Sequence, residues 1–214
     1  MSDLLNSELP NSWGLAPFEM VVDIRDDLRK PVNSDEREGR VGPYPYYGAT
    51  GQVGWIDGYL MDGEWVLLGE DGAPFLDSSK PKAYLVMGKC WVNNHAHVLR
   101  GFEGVLENKF LLYSLNVTDY HGLVTGTTRL KLTQGAMRQM SIPIAPLPEQ
   151  RRIVAEIEKQ FTRLDAGVEA LRRLEKHLKR YRASVLKAAC EGRLTEAWRK
   201  ARLTSPRPSG LPSP

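Results

Sequence analysis

Hydrophobic positions along this chain follow two rhythms, and the change between them falls near Pro148. Before it, short apolar runs at residues 65–68, 84–87, 96–99 and 110–115 are separated by glycine, proline, asparagine and aspartate, the signature of strands and short helices in a mixed, β-rich domain. Between residues 31 and 62 turn formers are dense and no helical period survives. Residues 42–58 are therefore expected to form turns around one or two short strands. Tyr44, Tyr46, Tyr47 and Trp55 ride on those turns.

After Pro148 the rhythm is helical. Residues 149–189 contain no proline and a single glycine, Gly167. Ile157, Leu164, Leu171, Leu178 and Val185 recur at a heptad spacing and share one stripe. Their companions are Val154, Phe161 and Val168, then Leu174, Tyr181 and Ala188, a shift of register that a nearly straight helix makes against a strict heptad. Pro148 suits the first turn and Gly192 the C-terminal cap. Such a helix is roughly 60 Å long, too long to pack only against its own small domain, so its stripe calls for a partner. The other faces are rich in arginine and lysine, which suits solvent as well as phosphate. The predicted fold class is α+β: a β-rich mixed globular domain at 1–147, a long coiled-coil-forming α-helix at 148–192, and a tail at 193–214. The Ser, Pro and Gly content of residues 202–214 predicts disorder there.

Composition narrows the classes without choosing among them. The 214 residues are 42% hydrophobic, 26% charged and 8% aromatic, ordinary values for a folding chain. No apolar run approaches the roughly 18 residues that would span a bilayer, and the first residues lack a signal-peptide core; the expectation is a cytoplasmic protein with no membrane partner. Two cysteines, Cys90 and Cys190, lie far apart and suggest neither a disulfide framework nor a thiolate cluster. A net charge of +3 permits an anionic partner but fits many unrelated proteins.

Most candidate chemistries fail on spacing. Gly48, Gly51 and Gly54 do not open a helix, which a phosphate-binding loop requires. Glu70 and Asp71 resemble paired carboxylates, yet no third acid nearby in sequence completes a nuclease site, so they read as an acidic turn. His95 and His97 share a face if both lie on a strand, with Cys90 close by. That spacing matches no zinc motif, and hydrogen-bonded histidines are the simpler reading. No catalytic residue, metal ligand set or cofactor motif is expected. What remains suits nucleic acid. Tyr44, Tyr46, Tyr47 and Trp55 offer flat surfaces; Asn93, Asn94, His95, Gln134 and Gln139 can meet base edges; Thr127, Thr128, Arg129, Lys131 and Arg138 can meet phosphates. The same aromatics serve equally well as core residues.

At the helix start the sequence becomes specific. The run PLPEQRRIV at 146–154, the segment KRYRASVLKAA at 179–189 and EGRLT at 191–195 closely resemble the conserved region of specificity subunits of type I restriction-modification systems. Upstream, YYGATGQVGWID at 46–57, GEDGA at 69–73, WVNNHAHVL at 91–99 and VTGTT at 124–128 resemble the target-recognition domain of that family. The resemblance implies a non-catalytic DNA-reading subunit that clamps onto double-stranded DNA. Its partners would be modification subunits that methylate adenine at N6 and, where one is present, a restriction subunit. Members typically carry two recognition domains and two antiparallel helices, whereas this sequence carries one of each. It therefore implies either a half-subunit or a fragment, and a homodimer paired through Ile157, Leu164, Leu171, Leu178 and Val185, reading a bipartite site.

The implied DNA-contacting positions are Tyr46, Tyr47, Thr50, Trp55, Asn93, Asn94, His95, Thr127, Thr128, Arg129 and Lys131. Segments shared by members that read different sequences more naturally shape the domain or hold phosphates. Base readers are expected in less familiar stretches around Lys80, Lys82, Lys89 and Arg100. The competing reading is a coiled-coil adaptor or antirestriction protein that binds modification subunits without reading DNA.

Overall fold

The computed structural model describes residues 9–204. The chain divides into two compact units, Met1–Ile157 and Glu158–Pro214, so the division falls inside the long helix and not at Pro148. In the first unit, strands β1 (Gly14–Pro17), β2 (Val22–Ile24), β3 (Tyr44–Gly48), β4 (Gly51–Ile56), β5 (Glu64–Gly69), β6 (Ala83–Met87), β7 (Trp91–Val92), β8 (Ala96–Gly101) and β9 (Ser141–Ile144) are interspersed with short helices. These are α1 (Phe18–Val21), α2 (Ser34–Glu38), α3 (Asn108–Val117) and α4 (Gln134–Arg138); α5 (Leu147–Cys190) follows. The architecture is α+β.

The central sheet is antiparallel in the order β2-β8-β5-β6. Its strand β5 explains the uninterrupted apolar run at 65–68, because both of its faces are buried. Val66 and Leu68 pack with Phe110, Leu111 and Leu115 of α3, while Trp65 and Leu67 pack with Met61, Val86, Cys90 and Val98. The alternation continues on β8, where Leu99 joins the first core and Ala96 and Val98 the second. A smaller sheet, β4-β3-β7, closes a third cluster of Val32, Tyr46, Ile56 and Trp91; in it β3 and β7 run parallel. The β3–β4 hairpin pairs Gly48 with Gly51 around Ala49 and Thr50. The glycine series is thus a hairpin turn. Strand β1 pairs with β9, bringing Gly14 opposite Ile144.

The first turn of α5 is fastened from within. Gln150 is fully buried; its Oε1 accepts from the Glu107 amide at 2.9 Å, and its Nε2 donates to the carbonyls of Val105 and Ala145, each at 2.8 Å. Val154 is also buried.

In the second unit, α5 ends at Cys190, and Gly192 takes a left-handed φ of 72°, the conformation that favours glycine just past a helix. Disorder expected from residue 202 is corrected only at residues 202–204, which are helical. A 3-10 turn (Arg193–Thr195) and a further helix, α6 (Glu196–Thr204), follow. Helix-forming Ala and charged residues, a Glu196–Lys200 ion pair at 2.8 Å and Arg202 stacked over Trp198 favour the helix over an irregular tail. The remaining positions for which disorder is predicted, 205–214, lie outside the described residues. Along α5 the apolar positions beyond Ile157 are exposed in the single chain, from 39% at Val168 to 69% at Tyr181, with Val185 half-buried. No helix among the described residues is long and apolar enough to cross a membrane.

Candidate nucleic-acid interface

Three loops that are distant in sequence meet along one rim of the first unit. The Thr125 and Lys131 backbones bond each other in both directions, at 2.9 and 2.8 Å, closing the loop that carries Thr127, Thr128 and Arg129. Gly126 makes this closure possible. Its φ is +96°, and a Cβ there would lie 2.4 Å from the Arg129 carbonyl oxygen. The second loop is the acidic turn after β5: Gly72 donates to the Leu130 carbonyl at 2.9 Å, and Leu132 donates to the Glu70 carbonyl at 2.7 Å. The third precedes β8. There the Glu70 amide donates to the His95 carbonyl at 2.8 Å, and the Asn93 amide to the Tyr47 carbonyl at 3.0 Å. The β3–β4 hairpin joins the same rim, since a Cβ on Gly69 would lie 2.9 Å from the Ala49 carbonyl oxygen.

Charges lock these loops together. Arg129 and His95 both reach Asp71 Oδ1, at 2.8 and 2.7 Å, and Lys131 reaches Glu70 at 3.0 Å. Beneath them, Arg29 spans Glu70 and Asp26; the Asp26 contact is 3.1 Å. Asp26 also accepts from the Val98 amide at 3.0 Å and from Gln134 at 3.0 Å, and contacts His97 Nδ1 at 2.7 Å. Burial alone would raise the Asp26 carboxyl, but the hydrogen bond and charge of His97, with Val98 and Arg29, hold it below the ordinary carboxylate range. Glu70 is likewise held below its ordinary value: hydrogen bonds from Arg29 and Lys131 outweigh its burial.

The expected contact residues divide accordingly. Thr50, Asn94, Thr127, Thr128, Arg129 and Lys131 are exposed on the rim, and His95 is half-exposed beside them. Trp55 is exposed on β4. Tyr46 is a correction: it is buried in the third cluster, its hydroxyl accepting from the Val32 amide at 3.1 Å, so its ring offers no flat surface to a ligand. Asn93 is also buried, its Oδ1 accepting from the His95 amide at 2.8 Å, which makes it a brace of the loop. Tyr47 is half-buried against Tyr84. Among the stretches expected to read bases, Lys82 is buried and donates to the Asp77 carbonyl at 2.9 Å, so it cannot reach a groove. Arg100 lies over Trp65 and Lys89 over Tyr59.

His95 and His97 do not share a strand face. His95 lies in the turn before β8, whereas His97 is on the strand and buried, and Cys90 belongs to a different core cluster. The sequence reading also missed a third acid. Asp26, from the 3-10 turn Asp26–Leu28, stands beside Glu70 and His97, with their ligand atoms within 4.8 Å of one another. Arg29 already sits between the two carboxylates, and Lys131 and Gln134 take further oxygens, so this donor set is neutralised from within the chain and suits an ion-pair node better than a divalent cation. No local pattern marks Asp26, Arg29 or Gln134, because the fold brings them together across more than a hundred residues.

Comparisons with known proteins bear on the family and the fold. The family model described as "Type I restriction modification DNA specificity domain" matches residues 21–176. A putative type I restriction enzyme specificity subunit of Haemophilus influenzae is 39% identical over 138 residues, covering 64% of this chain and 34% of the relative. The EcoDI specificity subunit of Escherichia coli is 25% identical over 205 residues, covering 89% of this chain and 44% of the relative. This chain therefore spans less than half the length of these curated relatives. Among solved structures, a chain from a study of assembly and conformational transition in a type I restriction-modification system has a TM-score of 0.63 at 23% identity, with 85% of this chain and 46% of that one covered. The S subunit from M. genitalium has a TM-score of 0.58 at 18% identity, with 74% and 42% covered. Both likenesses concern the fold.

Proposed function

This chain belongs to the family of type I restriction-modification DNA specificity domains, and from that premise we propose that it is a non-catalytic DNA-reading subunit. It directs N6-adenine methylation by modification subunits, and restriction where a restriction subunit is present, to a bipartite site. The first unit grips double-stranded DNA with the rim that carries Thr50, Asn94, His95 and the 125–131 loop. The observation that carries this reading is that rim: polar side chains from separate loops are exposed side by side on backbone fixed by mutual hydrogen bonds. Arg129 and Lys131 are exposed yet tethered to Asp71 and Glu70, which suits contacts that position a duplex more than contacts that read bases.

Pairing follows from the helix. Curated relatives of which this chain covers only 34% and 44%, together with a stripe of Leu164, Leu171 and Leu178 exposed along α5, favour two copies joined antiparallel by their helices, imitating one two-domain subunit. Such a dimer reads an inverted repeat.

The test is duplex binding by the purified complex across a salt series. Each lost phosphate contact should lower the slope of log affinity against log salt by about 0.9. Arg129→Ala and Lys131→Ala should each reduce it by roughly that amount. A complex that binds modification subunits yet has no affinity for any duplex would replace this reading with the adaptor one.

A further inference from the structure

Charge is divided unevenly along this chain. Residues 9–157 hold fifteen lysines and arginines against eighteen acids, a net charge of −3, whereas residues 158–204 hold thirteen against six, a net charge of +7. The unit that carries the rim is thus mildly acidic, and two of its rim cations are already tied to carboxylates, Arg129 to Asp71 and Lys131 to Glu70. The excess positive charge lies on the helical unit.

There it is concentrated on one face of α5. At about 100° per residue, Arg172, Arg173, Lys176, Lys179, Arg180 and Lys187 fall within a sector of about 120°, whose centre lies about 180° from that of Leu171, Leu174, Leu178, Tyr181 and Val185. All six cations are exposed. Acids answer part of this face: Glu169 pairs with Arg172 at 2.7 Å, Glu175 with Lys179 at 2.7 Å and Glu191 with Lys187 at 3.8 Å. With these three acids counted against the six cations, the face keeps a net charge of +3. Arg173, Lys176 and Arg180, three and four residues apart and so adjacent on the helix, form no ion pair among the described residues.

Resting on the DNA-binding reading above, we propose that this basic face of α5 is a second, sequence-independent surface for double-stranded DNA, with Arg173, Lys176 and Arg180 as its phosphate contacts. What the face lacks identifies the occupant. Among residues 172–187 the one uncharged side chain within the sector is that of Ala183, whereas a protein partner is recognised around an apolar centre. A duplex presents one phosphate charge per roughly 1.7 Å of its axis whatever its sequence, and the six cations extend over about 22 Å of helix. Covering the leucine stripe with a second copy leaves this face open, because the two lie on opposite sides of α5. The helix then supplies salt-dependent affinity that the acidic recognition unit lacks, while the rim positions the site.

The experiment compares wild type with the triple variant Arg173→Gln, Lys176→Gln, Arg180→Gln, each as the full chain in complex with its modification subunit. The readout is anisotropy of a random-sequence duplex across a salt series. Glutamine keeps the helix propensity, and circular dichroism with sedimentation checks that helix and assembly are intact. The expected result is a slope of log affinity against log salt lower by about 2.7, from about 0.9 for each of the three contacts, with the methylated motif in cells unchanged. The charge-preserving chain Arg173→Lys, Lys176→Arg, Arg180→Lys should keep the wild-type slope. Should the triple glutamine chain lose helix content, the three single glutamine chains decide in its place, each with a slope lower by about 0.9. A wild-type slope in the glutamine chains would overturn the proposal. So would loss of the modification subunit with the chain's own duplex affinity kept, which assigns the face to a protein. A slope that falls for Arg129→Ala and Lys131→Ala but not for the glutamine chains refutes the basic face alone, whereas a wild-type complex with no affinity for any duplex refutes the DNA-binding reading itself.

Discussion

Replacing Gln150 with leucine removes three hydrogen bonds and changes side-chain volume little. The side chain is fully buried and satisfied by Glu107, Val105 and Ala145. Ala145 is nearly inaccessible, so its carbonyl is left without a partner, as is the Glu107 amide; Val105 is partly exposed, and water can compensate for some of its loss. At about 1–3 kcal/mol for each buried group left unsatisfied, the loss is roughly 3–5 kcal/mol. The added apolar burial offsets about 1 kcal/mol. The net destabilisation of roughly 2–4 kcal/mol should lower the melting temperature by about 5–15 °C for a chain of this size. Urea unfolding with an unchanged slope, checked by calorimetry, measures it. Gln150→Glu sharpens the test. A buried carboxylate facing two carbonyls must bind a proton, so its folded pKa lies above the unfolded value and the destabilisation grows as pH rises above about 4. A Gln150→Leu chain within about 0.5 kcal/mol of wild type would refute the reasoning.

Leu171 is the middle position of the stripe, so in an antiparallel pair it faces its own copy, and Leu171→Asp removes two leucines and opposes two carboxylates. At about 1.5–3 kcal/mol per buried leucine, dimer dissociation measured by sedimentation equilibrium should strengthen by a thousandfold or more, roughly; an intact dimer would exclude this pairing register. Asp26 and Glu70 have folded pKa values held below their unfolded ones. Their stabilisation is therefore complete above about pH 5 and is lost as pH falls through the folded values, below about pH 4. Urea midpoints across that range should drop steeply, and Asp26→Asn should remove part of the drop; a flat profile would contradict the node. Cys90 is buried, with its thiol pushed up to about 11 by burial, whereas Cys190 is exposed. A thiol reagent near neutral pH should modify Cys190 rapidly and Cys90 only after unfolding, and equal rates would place Cys90 wrongly.

The parts of the fold legible in the sequence are those fixed by local period. The run at 65–68, bounded by turn formers, reads as a strand or short helix and is strand β5, and the heptad leucines with Gly192 mark α5 and its end. The last helix runs to Thr204, past Arg202 where disorder is expected to begin, because the Ser, Pro and Gly content lies beyond it. At the candidate interface, the loops were found by composition but not the roles within them. Tyr46 and Trp55 look alike as aromatics beside turns, yet one is in a core and the other in solvent, a difference set by which side of each strand meets the rest of the fold. Asn93 and Lys82 are polar types that usually stay exposed, and both are buried as braces with backbone partners. Asp26 and Arg29 carry no local signal, and Glu70 and His97, visible singly, join them only after β2, β5, β8 and the 125–134 segment are assembled.

The central claim, a DNA-reading subunit acting as two copies, is tested most directly by mapping N6-methyladenine genome-wide in cells that carry this chain with its modification subunit. The account predicts one bipartite motif with inverted-repeat halves, lost on Leu171→Asp. An asymmetric motif, or methylation with no motif dependent on this chain, would contradict it.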